Sequence, residues 1–246
     1  MFIKKILIFL LIILFFLIFL VTKNIIRYYF RNKYYQDLEY DSQSLQKVLE
    51  NAKSGDLILF CYAPGSYRYS FWYDLFVKFN HVGVVVTDKK TKKKYLVENL
   101  SPCKILNNIT VEDIVISDLH DRLYYHNYNF GQDKLYYCPN HFLHKENEKR
   151  CELFLQNLSI YRENMKFKYY FLNDILLRWS IFHDFGIIHK KHDNSYNCAE
   201  FASFCLEKLG FISKNVEWRH YSVMDVLYLK NECNQRLFAN PYKINF

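Results

Sequence analysis

Residues 6–22 form an uncharged run of mostly Ile, Leu, Phe and Val, bounded by Lys4 and Lys5 before it and Lys23 after it. This run constrains the chain more than any other feature, because so apolar a stretch has to leave water. As a helix its 17 residues reach about 25 Å against a hydrocarbon core of about 30 Å. Phe2 and Ile3 lengthen it when the two lysines snorkel to the headgroups. No small residues of the Ala-x-Ala kind close the run, so a cleaved signal peptide is not expected. The pattern predicts one N-terminal transmembrane anchor over residues 1–23. The basic residues Lys23, Arg27, Arg31 and Lys33 tilt a single-pass protein toward a cytoplasmic body.

Beyond the run, the composition is that of a globular protein. The 246 residues are 51% hydrophobic and 24% charged, with six Gly and four Pro, which excludes disordered and collagenous classes. Net charge is +8. Because part of it lies beside the apolar run, it reads as contact with a membrane lipid surface. No basic stripe interleaved with aromatics appears, so no nucleic-acid partner is expected. Seven Cys without regular spacing suit a reducing compartment better than a disulfide scaffold. Residues 24–53 read as a basic juxtamembrane segment and lead-in helix, and residues 54–246 as one α+β domain.

Within that domain, residues 42–53 carry Leu45, Val48, Leu49 and Ala52 at helical spacing and stop at Gly55. Residues 56–61 (DLILFC) and 134–138 (KLYYC) read as strands. Residues 63–66 read as a turn, and residues 71–79, 146–162 and 173–182 as helices. HVGVVVT (81–87) and YLVE (95–98) around a polar link form a hairpin signature. If the loop is the four residues 88–91, Thr87 faces Lys92 and His81 directly faces Glu98. Opposed Cβ atoms lie about 5 Å apart, close enough for a carboxylate to orient an imidazole. On the residues alone, a strand-end histidine beside an exposed glutamate is the favoured reading.

Asn197-Cys198-Ala199-Glu200 opens an amphipathic helix over residues 197–209 that Gly210 ends. Asn197 suits the N-cap, with Glu200 in position for a capping box. Cys198 then meets the unpaired N–H groups and dipole of a helix start, which favour an anion and point toward a thiolate nucleophile. The competing reading is a small core residue, as expected for Cys205.

GDLILF (55–60) followed by HVGVVV (81–86) resembles the paired strand motifs of NlpC-type papain-like cell-wall peptidases. In the unpermuted enzymes the Cys helix precedes the His strand. Here YNCAEF (196–201) follows it, as in the circularly permuted branch, which includes YiiX-like and poxviral proteins and is related to lecithin retinol acyltransferase. The likeness covers about residues 54–212. It implies a permuted papain-like domain with an antiparallel sheet packed on the Cys helix. It also implies Cys198 as nucleophile, His81 as base and Glu98 as orienting carboxylate, acting on an amide- or ester-bearing substrate (lipid, lipidated protein or peptide) through a thioester. The N–H of Cys198 is the natural oxyanion donor. The insert over residues 103–166 and the apolar run have no counterpart in the motifs.

No cofactor and no metal are expected. Cys138, His141, His144 and Cys151 form C-x2-H-x2-H-x6-C, which departs from the usual zinc pairs, and Pro139-Asn140 reads as a turn. His183, His189 and His192 are alternative bases, and the aromatic residues 167–182 are a candidate acyl-accepting groove. The rival to an enzyme is a binding or structural membrane protein that keeps the fold without catalysis.

Overall fold

The computed structural model describes residues 2–61, 78–105, 109–131, 134–142, 145–164, 166–167, 195–214 and 223–246. The turn expected at 63–66, the helix expected at 173–182, most of the helix expected at 71–79, and His144, His183, His189 and His192 lie outside these residues. So does nearly all of the aromatic segment. The chain divides into two compact units, Met1–Asp37 with Tyr170–His192, and Leu38–Tyr169 with Asp193–Phe246.

In the first unit, helix α1 runs unbroken from Phe2–Asp37 over 36 residues, with Leu7, Phe9, Ile12 and Phe15 among its exposed side chains. Among the described residues no helix is long and apolar enough to cross a membrane. This corrects the expected transmembrane anchor over residues 1–23 and, with it, the single-pass topology. The physical reason is length: the uncharged run spans about 25 Å at the helical rise, and the same helix continues into charged residues on both sides.

The second unit is α+β. Its first part contains strand β1 (Ser42–Ser44), helix α2 (Leu45–Asn51), and strands β2 (Leu57–Cys61), β3 (His81–Thr87), β4 (Lys94–Ile105) and β5 (Ile109–Asp118). Helix α3 (Leu119–Asn129), strand β6 (Lys134–Cys138), helix α4 (Lys145–Asn164) and the short strands β7 (Lys166–Phe167) and β8 (Ser195–Tyr196) follow. Helices α5 (Cys198–Lys208) and α6 (Val223–Leu227) and strand β9 (Tyr242–Asn245) complete it. Seven of the described strands form one sheet in the order β1-β9-β6-β2-β3-β4-β5. Its pairs are antiparallel except β1 with β9, which run parallel. The sheet is therefore mixed where an antiparallel one was expected: the C-terminal strand enters between β6 and the lead-in segment.

The central strands form because their sequences are continuous apolar runs, suited to burial on both faces. Residues 81–86 of β3 are all buried. On one face Ile58, Phe60, Val85, Leu96, Leu135, Tyr137 and Ile244 pack with Val48 and Ala52 around α2 and with Leu119 and Leu123 of α3. Helix α5 packs against β3 and β4.

Hairpin β3–β4 differs from expectation in its loop. Thr87 pairs with Lys94, not Lys92, so the loop has six residues, 88–93. The Asp88 carboxylate holds it open, accepting from the Lys90 N–H at 2.8 Å and the Thr91 hydroxyl at 2.7 Å. Lys92 turns through a left-handed φ of 59°. A shift of two residues leaves every side chain on its original face, whereas a shift of one reverses them.

Asp56 ties the start of β2 to its surroundings. Its carboxylate accepts from the Lys53 N–H (2.8 Å), the Asn140 N–H (2.8 Å) and the Tyr137 hydroxyl (2.7 Å). Burial pushes its carboxyl up to about 6, against the pull of those three donors. Gly55 precedes it at a φ of +89°, where a Cβ would overlap the Phe211 ring. Asp56→Ala strands two fully buried donors, so urea denaturation is expected to show a loss of about 3 kcal/mol, with Asp56→Asn losing less.

Candidate active site

Four segments converge at the N-terminal end of β3. Phe60, next to last in β2, pairs in register with His81, the first residue of β3. Their rings lie 5.0 Å apart at centroids. His81 is buried, 6% exposed, and Glu98 of β4 is 0% exposed. The His81 Nε2 and Glu98 Oε1 atoms are 3.0 Å apart. Cys198, brought by α5, lies close enough to the same imidazole to raise its proton affinity. With Nε2 on the carboxylate, Nδ1 is the ring nitrogen left for sulfur.

The pairing between His81 and Glu98 is diagonal, since the register sets Gly83 opposite Glu98. A Cβ at Gly83 would stand 2.7 Å from Glu98 Cγ and 2.9 Å from Leu96 Cδ1. The missing side chain is the gap through which Glu98 leans along the sheet to reach His81. Sequence reasoning put the two residues on one face but placed them directly opposite each other, and so overlooked Gly83.

It also overlooked α3. Asp118 caps that helix, accepting from the N–H groups of His120 and Asp121. Leu119, Arg122, Leu123 and His126 form its buried stripe. Arg122 Nε donates to Glu98 Oε2 at 2.8 Å and Arg122 Nη2 to Glu98 Oε1 at 3.2 Å. Arg122 Nη1 lies 3.3 Å from His126 Nδ1. A guanidinium has no acceptor, so His126 Nδ1 accepts. The guanidinium also lies 5.0 Å from the Phe60 ring centroid. The signal was present in the sequence, as two polar residues inside an i, i+3, i+4, i+7 stripe.

The charges follow from this geometry. Burial opposes the ionised form of Glu98, yet Arg122 and His81 outweigh it and hold its carboxyl at about 2. Burial likewise opposes the His81 imidazolium, and hydrogen bonds and charge from Cys198 and Glu98 overcome it, raising the ring to about 9. Glu98 thus contributes stability above the ordinary carboxylate range, and that contribution is lost as pH falls through about 2. His81 contributes below its ordinary value of 6.5, and that contribution is lost as pH rises through about 9.

At the start of α5, the Asn197 side chain accepts from the Ala199 N–H (2.8 Å) and the Glu200 N–H (2.9 Å), and Glu200 Oε2 accepts from the Asn197 N–H (2.8 Å). The Phe201 N–H goes to the Asn197 carbonyl. These bonds occupy the first-turn donors around Cys198. Cys138 has a different environment: its thiol donates to the Ala239 carbonyl at 3.3 Å, and burial pushes it well up. Among the described residues, the grouped metal-ligating side chains are Asp118, His120 and Asp121, where Asp118 caps the helix and His120 pairs with Asp121 at 3.1 Å.

No protein-family model matches the sequence, and no curated protein matches it.

The His81 ring, followed by NMR in the full chain, is expected to lose its proton near pH 9. In Glu98→Gln the midpoint falls toward 6.5, because the imidazolium loses its anion. Gly83→Ala is expected to move it the same way, as the new methyl displaces Glu98, and to cost about 1–3 kcal/mol of stability.

Proposed function

We propose that the chain is a cysteine-dependent acyl-transfer enzyme, a thiol hydrolase or acyltransferase that opens an amide or ester bond through a thioester on Cys198. One observation carries this reading: a thiol at a helix start adjoins an imidazole whose Nε2 lies 3.0 Å from a buried carboxylate. That is the arrangement of nucleophile, base and orienting group. The order of GDLILF, HVGVVV and YNCAEF, like that of the permuted NlpC-type branch, supports the same reading.

In the proposed reaction His81 takes the Cys198 thiol proton, the sulfur attacks the carbonyl carbon, and the carbonyl oxygen takes up negative charge. The Cys198 N–H, pointing out of the helix start, is the donor for that oxyanion. As the intermediate collapses, the bond to the leaving nitrogen or oxygen breaks and the leaving group takes a proton from His81. A water, or an acceptor hydroxyl or amine, then gives its proton to His81 and attacks the thioester. The carbon–sulfur bond then breaks, the acyl product departs, and His81 returns the proton to the sulfur. Glu98 stays ionised throughout and keeps the imidazole in one tautomer.

The test is alkylation of the full chain with iodoacetamide at pH 7, with modified cysteines located by mass spectrometry. Cys233 is exposed, whereas Cys198 is only partly so, so access alone favours Cys233. Cys198 is expected to react at least tenfold faster than Cys233 and to lose that advantage in His81→Ala. A Cys198 no faster than Cys233 in the folded chain overturns the reading and favours a binding module.

A further inference from the structure

Within that acyl-transfer reading, we propose that Arg122 is the positioning residue of the site: its bidentate grip fixes the Glu98 carboxylate so that Oε1 faces His81. A glutamate side chain crossing the gap at Gly83 has free rotation about its last bond, and one carboxylate oxygen is not distinguished from the other. The guanidinium removes that freedom. Nε takes Oε2 at 2.8 Å, and Nη2 reaches Oε1 at 3.2 Å while His81 Nε2 approaches the same oxygen at 3.0 Å. The plane of the fork therefore sets the plane of the carboxylate, and the carboxylate sets the ring.

The clamp is itself braced on two further sides. His126, one helical turn along α3, accepts from Nη1 at 3.3 Å, and the Phe60 ring lies 5.0 Å from the guanidinium carbon. Phe60 also packs against the rings of His81 (5.0 Å) and His126 (5.1 Å). Among the described residues, the groups facing His81 include Glu98 from β4, Cys198 from α5 and Phe60 from β2, and Arg122 in turn holds the carboxylate. Arg122 is 3% exposed, so it acts through Glu98 and not on a substrate.

A positioning role and a simple charge effect predict opposite results. If Arg122 matters only as a nearby cation, its loss raises the proton affinity of His81, and Arg122→Lys changes nothing. If the fork positions Glu98, Arg122→Lys keeps the charge but not the two parallel bonds. The expected result for Arg122→Lys is a fall of about one pH unit or more in the His81 midpoint, read by NMR, and about tenfold slower alkylation of Cys198 at pH 7. The double variant Arg122→Lys/Glu98→Gln is expected to match Glu98→Gln alone, since both remove the same contact. A folded Arg122→Lys protein with the wild-type midpoint and alkylation rate overturns the proposal. Should the variant not fold, the wild-type chain decides. The Arg122 Nε–H resonance is expected to shift with the His81 titration near pH 9, and an unresponsive resonance overturns the proposal. An unactivated Cys198 in the wild type overturns the acyl-transfer reading, whereas an activated one insensitive to Arg122→Lys overturns only the role of Arg122.

Discussion

A carboxylate fully removed from water governs the arrangement of this domain. An isolated buried charge is too costly to persist, and only paired, hydrogen-bonded ions are tolerated. Glu98 at 0% exposure therefore requires both Arg122 and His81, and satisfying it requires four segments in register. Strand β4 supplies the carboxylate, and β3 supplies the imidazole and, at Gly83, the empty position between them. Helix α3 supplies the guanidinium, and β2 supplies Phe60, the ring against which both cation-forming groups lie. Replacing such a cluster with apolar side chains often leaves stability unchanged. Its value here is geometric, because each partner restricts the orientations open to the others.

The fold brings to that cluster a thiol from a distant part of the sequence, the nucleophile of the proposed reaction. The strand pair β7–β8 leads into α5 through Ser195–Tyr196, and the reciprocal bonds between Asn197 and Glu200 fix where the helix starts. Moving that start by one residue would carry Cys198 away from the imidazole. Capping in this case is a positioning device as much as a stabilising one.

The sequence made legible those parts whose cause is local. HVGVVVT and KLYYC set the bounds of β3 and β6 because a buried strand needs only an apolar run. Asn197 and Gly210 bracket α5 because caps are chosen by side-chain chemistry and backbone freedom. Hairpin register was misread by two residues because loop length is decided by how Asp88 folds back onto Lys90 and Thr91, which hydrophobic pattern does not report. Even so, His81 and Glu98 stayed on one face, since parity survives a shift of two. Arg122 escaped notice because a helix stripe is normally sought in apolar residues, and here half of its members are polar. The anchor was misjudged because hydropathy reports how apolar the run is, whereas the uncharged part of its helix reaches only about 25 Å before charged residues resume.

In the proposed chemistry, the same contacts account for how one imidazole serves two opposite steps. An imidazole that keeps its proton to about pH 9 is a ready acid for a leaving group and a poor base for an attacking water. Its proton affinity has two supports, Cys198 and Glu98. Acylation removes the first, because a thioester sulfur carries no charge and offers the ring no comparable hydrogen bond. The second remains, with the Glu98 carboxylate gripped through both oxygens by Arg122. Once Cys198 is acylated, His81 moves toward the ordinary range of a histidine and becomes a competent base near neutral pH. The nucleophile, by being consumed, thus converts its own acid into the base that the second step needs.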